Sequence, residues 1–377
     1  MASASGTDLV LAGHRVRMTA EDASLLRDAV SVLVPPCAEE PVGAGEPGWQ
    51  VDVSGVTAGL GELCEQGRPV LAWPDSGTRL SIVDAADGVV TLAARYRTDS
   101  PAALVEADLL RRRTRVLIPE GDPPSRRWAD WVARAFFGTR LLADGWLLFH
   151  AAAVRITAGG RALLVLAGPQ GGKSTLAHRA CVELGAQLMA DDLVLLRPGT
   201  GVPWVAGWPT RVCVPAELLD DAALAGLPGR LVIQTAASGR ERRRVVLSPP
   251  EYQRLLGIGR AGPAELGGVL ALIPAACSSP GQPARAGAMG RERLAAALAE
   301  AARVPAQRLR MLDLLGVAGR PAMAVPAALS PRAVRWDQVL AGVPAACLEL
   351  ADGSLLPQLP VWDLLEPYLP WLRGGGT

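Results

Sequence analysis

The stretch Leu163 to Leu196, LLVLAGPQGGKSTLAHRACVELGAQLMADDLVLL, decides the fold. Its apolar start, Leu163 to Leu166, reads as a buried strand, because a short unbroken apolar run suits a strand covered on both faces. Ala167 to Gly172 is a glycine-containing loop, and Lys173-Ser174-Thr175 open an amphipathic segment. A second apolar run ends in the pair Asp191-Asp192. Strand, phosphate loop, helix, and acidic residues after a further strand is the layout of a nucleoside triphosphate site.

The loop Ala167-Gly168-Pro169-Gln170-Gly171-Gly172-Lys173-Ser174 fits a relaxed form of the phosphate-loop pattern. The strict GxxxxGK[ST] form is not met, since Gly168 lies one residue too close to Lys173. The physical requirement is a tight turn whose backbone N–H groups converge on phosphate oxygens. Gly168, Gly171 and Gly172 supply the conformational freedom, and the helix opening near Lys173 adds its positive end. Lys173 is then expected to bridge the terminal phosphates of ATP and Ser174 to ligate Mg²⁺ through its hydroxyl, with Thr175 in the first helical turn. The bland alternative is a glycine-rich turn that happens to contain GKS. Against it stands one fact of composition: Lys173 is the only lysine of the chain. Arginine and lysine serve about equally on a solvated surface, but not where a flexible ammonium must reach a phosphate.

Asp191-Asp192 has two chemical uses. One carboxylate after an apolar strand can hold the metal, which makes Asp191 a metal candidate beside Ser174, and a second can accept a proton from an attacking hydroxyl. A solvated turn is the plain alternative. His150, one of three histidines, ends the apolar run Leu147 to Phe149; His14 and His178 have no such context and read as surface or helix residues.

The chain of 377 residues is long enough for two domains, and its hydrophobic share of 50% supplies a substantial core. A net charge of +1 gives no reason to expect nucleic acid or an anionic membrane as partner. Six scattered cysteines without CxxC or His-Cys clusters speak for reduced thiols rather than a disulfide framework or zinc site. No signal peptide precedes the first strand candidates and no apolar run approaches the ~20 residues of a membrane span, so a cytoplasmic protein is expected.

Residues 1–120 read as a β-rich α+β domain. Leu25 to Val34 is a helix or strand stopped by Pro35-Pro36. Arg79 to Val83 and Val89 to Ala93 flank a hairpin turn centred on Asp87-Gly88. Arg111 to Arg115, leading into Val116 to Ile118, is expected on a solvated strand edge, with a surface for an anionic partner as the alternative. The loop Pro119 to Ser125 marks the boundary, after which Trp128, Trp131, Val132, Ala135 and Phe136 recur at helical spacing as a packing face. Residues 126–350 form the second domain, an α/β unit on a mixed sheet. Its strands are expected at 146–150, 153–156, 211–214, 230–233, 240–247, 266–273 and 345–350, with helices at 291–302 and 328–341. Residues 351–377 are a tail of Pro, Trp and Gly that either docks or stays loose. Arg211, Arg240 and Arg242 to Arg244 are candidates to approach phosphate or acceptor, with surface charge as the plainer role.

His150 followed by Ala-Ala-Ala-Val, a short hairpin, a loop ending GKST and then ADD resembles the catalytic domain of the HPr kinase/phosphorylase family. The resemblance implies a P-loop kinase core of the HPr kinase and phosphoenolpyruvate carboxykinase type. It implies Asp192 as the general base toward an acceptor hydroxyl, His150 as the active-site histidine, Lys173 as the phosphate-binding lysine and Ser174 as the Mg²⁺ ligand. The loop departs from the family's form at Ala167, Pro169 and Gln170. The family's downstream metal-binding glutamate is not found in its usual setting, leaving Asp191 and Glu217 as substitutes in position. The segment that grips the HPr protein is not recognisable either. The expectation is therefore an ATP- and Mg²⁺-dependent kinase acting on a Ser/Thr-type hydroxyl of a peptide or protein, a natural-product precursor peptide among the acceptors. A nucleotide-responsive binding module and a small-molecule kinase are the rivals. The oligomeric state stays open, a homo-oligomer included.

Overall fold

The computed structural model describes residues 5–57, 61–73, 78–95, 100–168, 171–199, 201–227, 231–235, 241–274, 284–309, 336–350 and 359–373. Pro169, Gln170, Arg240, Cys277 and the expected helix start at Ser330-Pro331 lie outside them. The chain divides into two units, Met1–Asp144 with Gln307–Val325, and Gly145–Ala306 with Pro326–Thr377.

The first unit holds strands β1 (Ser5–Leu11), β2 (His14–Ala20), β3 (Ala38–Glu40), β4 (Trp49–Val56), β5 (Arg68–Trp73), β6 (Thr78–Ala86), β7 (Val89–Arg95), β8 (Ala103–Asp108) and β9 (Arg113–Pro119). They form one sheet in the order β3-β1-β2-β4-β9-β8-β7-β6-β5. Helices α1 (Ala23–Leu33), α2 (Gly61–Gln66) and α3 (Arg127–Ala143) complete the described part. Asp22 caps α1 by accepting from the Ser24 N–H at 2.7 Å, which settles the 25–34 segment as a helix. Positive φ at Asp87 (51°) and Gly88 (79°) turns β6 into β7, as the Asp-Gly pair requires.

The basic run differs from expectation. β9 is paired on both sides, with β4 and with β8, and is not at an edge. Alternation sends Thr114, Val116 and Ile118 into the core and turns Arg113 and Arg115 outward, where Asp52 and Glu106 on the flanking strands receive them. The 119–125 loop lies inside this unit, and the division falls after Asp144. The reason is α3, whose buried Trp128, Val132, Ala135 and Phe136 face this sheet; the Phe136 ring lies 6.1 Å from that of Trp49 on β4.

The second unit holds β10 (Leu147–His150), β11 (Ala152–Arg155), β12 (Ala162–Leu166), β13 (Gln187–Ala190), β14 (Leu193–Arg197), β15 (Trp204–Gly207), β16 (Val212–Pro215), β17 (Leu231–Thr235), β18 (Glu241–Leu247), β19 (Ala264–Pro274), β20 (Arg285–Ala288) and β21 (Ala345–Leu350). Its helices are α4 (Lys173–Leu184), α5 (Asp221–Ala225), α6 (Pro249–Leu256), α7 (Arg291–Leu309), which begins in this unit, α8 (Trp336–Val339) and α9 (Val361–Leu365). The main sheet is mixed, in the order β10-β14-β15-β19-β12-β11-β13, with β21 beside β19 and β20 beside β21; β12, β19 and β21 run parallel. A second sheet has the order β16-β18-β17.

β12 is buried along its whole length because its two faces feed two cores. Leu163 and Val165 meet Leu176, Ala177 and Cys181 of α4, and Leu164 and Leu166 meet Leu294, Leu298 and Ala301 of α7. That double burial is why the run carries no polar residue. The tail docks within this unit: Val361, Trp362, Leu365, Leu369 and Leu372 are buried in the α4-side core, and Trp362 Nε1 donates to Glu183 Oε2 at 2.6 Å. Among the described residues, no helix is long and apolar enough to cross a membrane.

Candidate active site

One antiparallel ladder brings the candidate residues together. Leu147 lies opposite Leu196, His150 opposite Leu193, Ala153 opposite Ala190 and Arg155 opposite Gln187. Between these pairs the Ala151 N–H donates to Asp192 O at 3.0 Å. β10 and β11 therefore act as one long strand against β13 and β14, and Asp191-Asp192 sits at the break between the latter two. The ladder places His150 across from the acidic pair, and His150 Nε2 stands 3.2 Å from Asp192 Oδ1. The Asp192 side chain is 48% exposed, so its carboxylate is open to an incoming group.

β12 delivers its loop to the same place. Gly172, with φ of +92°, is the N-cap of α4, a conformation that favours glycine. The Gly171 N–H donates to Gly168 O at 3.1 Å, closing a turn inside the loop. A Cβ on Gly171 would stand 2.8 Å from Ala167 Cβ, so the loop is as tight as a phosphate cradle needs to be. Lys173, buried, curls back over the loop, and its Nζ donates to Ala167 O and Gly168 O at 3.1 Å each. Burial pulls its amine down to about 8; the Asp192 charge pushes it back up and the Arg244 charge adds to the fall. Ser174 Oγ donates to Asp191 O at 3.1 Å, tying the first turn of α4 to the acidic pair. Thr175 is half-buried in that turn, and Pro169 and Gln170 lie outside the described residues.

The two aspartates are not equivalent. Asp191 is buried, and its Oδ2 accepts from the Cys213 N–H on β16 at 2.9 Å. Burial first, and the neighbouring Asp192 charge second, push its carboxyl up to about 6. Its carboxylate is thus held inward by β16, and Asp192 is the member turned to solvent. Glu217 is exposed on the short 3-10 turn after β16. Among the described residues, no group of three or more His, Cys, Asp or Glu side chains converges to hold a metal by itself. Mg²⁺ bound beside a triphosphate takes one or two protein oxygens, with phosphates and water for the rest. Ser174 and a carboxylate of the pair are the residues that would hold it.

Two residues were not singled out by the sequence. Cys213 contributes only its backbone N–H, and no local pattern marks it. His178, read as a surface or helix residue, is on helix α4 but not at the surface: it is 1% exposed, with Nδ1 2.7 Å from the Tyr252 hydroxyl of α6. Of the candidate arginines, Arg244 on β18 is close enough for its charge to act on Lys173, His178 and Cys213.

No protein-family model matches the chain, and no curated protein matches it. Among solved structures, the Hpr(Ser) kinase/phosphatase from Coxiella burnetii is similar over 38% of this chain and 70% of that chain, with 14% sequence identity and a TM-score of 0.21.

Proposed function

We propose that the chain is an ATP- and Mg²⁺-dependent kinase of the HPr-kinase-like kind that phosphorylates a Ser/Thr-type hydroxyl of a peptide or protein. The observation that carries this reading is the half-exposed Asp192 carboxylate, paired with His150 at 3.2 Å and sharing one corner of the fold with the lysine-capped loop. An ATPase needs only the loop and one acidic group; a carboxylate held open by a histidine beside it is what hydroxyl activation adds. Bound Mg·ATP supplies the electrophilic phosphoryl group and neutralises its charge. Lys173 and the loop N–H groups hold the phosphate oxygens, and α4 contributes its positive end. Asp192 takes the proton of the acceptor hydroxyl, and His150 orients it. Positioning and electrostatics account for most of the acceleration.

Incubation with labelled ATP and candidate hydroxyl acceptors tests the proposal. Asp192→Asn is expected to lower transfer by about a hundredfold or more while nucleotide binding persists. Transfer undiminished in that variant removes the general base from the mechanism. One observation favours a second reading, a nucleotide-responsive binding module: Leu231, Val232 and Ile233 on β17, at the end of its sheet, are 40%, 39% and 56% exposed in succession. In that case Lys173→Ala abolishes nucleotide-dependent partner binding and Asp192→Asn leaves it intact.

A further inference from the structure

A cavity of about 100 Å³ opens beside the loop, between the end of β19 and α7. His150, Ala167, Ala271, Ile273, Ala297 and Ala301 are among its lining residues. Apart from His150 and the exposed Glu300, the side chains around it are aliphatic or absent. The aliphatic walls offer no partners to phosphate or ribose oxygens, which would find only His150 and Glu300 at this site and would otherwise lose their hydrogen bonds with water. On the kinase reading the phosphates sit at the start of α4, and none of Gly171, Gly172, Lys173 and Ser174 lines this pocket. The pocket is therefore suited to an apolar group. An apolar cavity of about 150 Å³ admits a benzene ring, so about 100 Å³ suits a branched aliphatic side chain better than an aromatic one.

The position says which molecule carries that group. His150 lines the pocket and also contacts Asp192, where the acceptor hydroxyl would lose its proton. An extended peptide advances about 3.3–3.6 Å per residue, so the side chain of a residue one or two positions from the hydroxyl reaches past an imidazole. Resting on the kinase reading, we infer that this pocket receives the side chain of a residue flanking the accepting Ser or Thr and selects acceptors with Val, Leu or Ile there. Leu166, Leu272 and Ala301 are buried in the cores, so the floor of the pocket is fixed, while Ala297 and Ile273 are half-buried and set its width.

The test uses the full chain, labelled ATP and a peptide library with a fixed central serine, each flanking position varied in turn among Gly, Ala, Val, Leu, Ile, Phe and Trp. At one flank, Val, Leu or Ile should exceed Gly by about tenfold or more, the usual worth of a methylene or two in an apolar pocket, and Trp should be disfavoured. Ala297→Leu should shift the preference toward Gly and Ala, and Ile273→Ala should shift it toward Phe. Opposite shifts in two variants cannot come from a general loss of folding. Equal transfer to all members, or one unchanged profile in all three proteins, overturns the pocket and leaves the kinase reading standing. Absence of transfer to every member, with nucleotide still bound, overturns the kinase reading and the pocket with it.

Discussion

Gly171 has no room for a methyl group. Its Cβ would stand 2.8 Å from Ala167 Cβ and 3.1 Å from Gly168 O, neither of which can swing away without opening the loop. Gly171→Ala is expected to weaken nucleotide affinity by about tenfold or more while leaving the unfolding midpoint nearly unchanged, as titration calorimetry and urea denaturation would read; intact affinity would mean the loop is looser than its geometry. His178 makes a different demand. Burial, with the Arg244 charge adding to it, pushes its imidazole down to about 4 from the ordinary 6.5. Between those values the unfolded chain binds the proton and the folded one does not, so stability falls as pH drops from about 6.5 toward about 4, by about 3 kcal/mol in all. His178→Gln lacks that titration. The difference in unfolding free energy between parent and variant should shrink by that amount from pH 7 to pH 4, and a constant difference would show that the ring takes up its proton in the fold as it does in the unfolded chain. Lys173 was legible because it is unique in the chain, and the environment of His178 was not, because Tyr252 lies 74 residues away.

Elements with their own pattern were legible, and those defined by a distant partner were not. β12, α4, β19 and the β6–β7 hairpin follow from an unbroken apolar run, a periodicity or a turn dipeptide. The basic run was expected at a strand edge, but Arg111 and Arg112 lie in the turn before β9 and Arg113 to Arg115 in a central strand, which only the pairing partners of β9 reveal. The same limit hid the joining of β10 with β11 into one ladder, because strand register is a property of two segments. The tail has a clear energetic role. Trp362 is 5% exposed and hydrogen-bonded to Glu183 on α4, and Val361 and Leu365 beside it are fully buried. Trp362→Ala should cost about 3–5 kcal/mol, measured by denaturant unfolding of the full chain; a cost below 1 kcal/mol would show that the tail is not part of the core.

At the scale of the whole molecule, every candidate site residue falls in the second of the two units. The loop composition at 119–125 suggested a boundary there, but which sheet α3 covers is a tertiary fact that composition does not carry. In the first unit Asp8 is fully buried and accepts from Arg17 at 2.8 and 3.0 Å; the Arg17 hydrogen bond holds its carboxyl below the usual carboxylate range. Asp8→Ala takes the carboxylate from Arg17, which keeps only the Gly45 carbonyl among the described residues, and one of two from Arg15, which keeps Glu40; it should cost about 3 kcal/mol in unfolding free energy, with nucleotide affinity unaltered because every candidate site residue belongs to the second unit. A parallel loss of affinity would count against that separation. The ladder of β10–β11 against β13–β14 bears on descent. Its two arms enclose β12, the glycine loop and α4, so every proposed phosphate, proton and metal contact from His150 to Asp192 is indexed by one hairpin-like closure. A site wired within so short a span can be inherited as a cassette: the surrounding strands, the first unit and the acceptor can all change while its internal register stays the same.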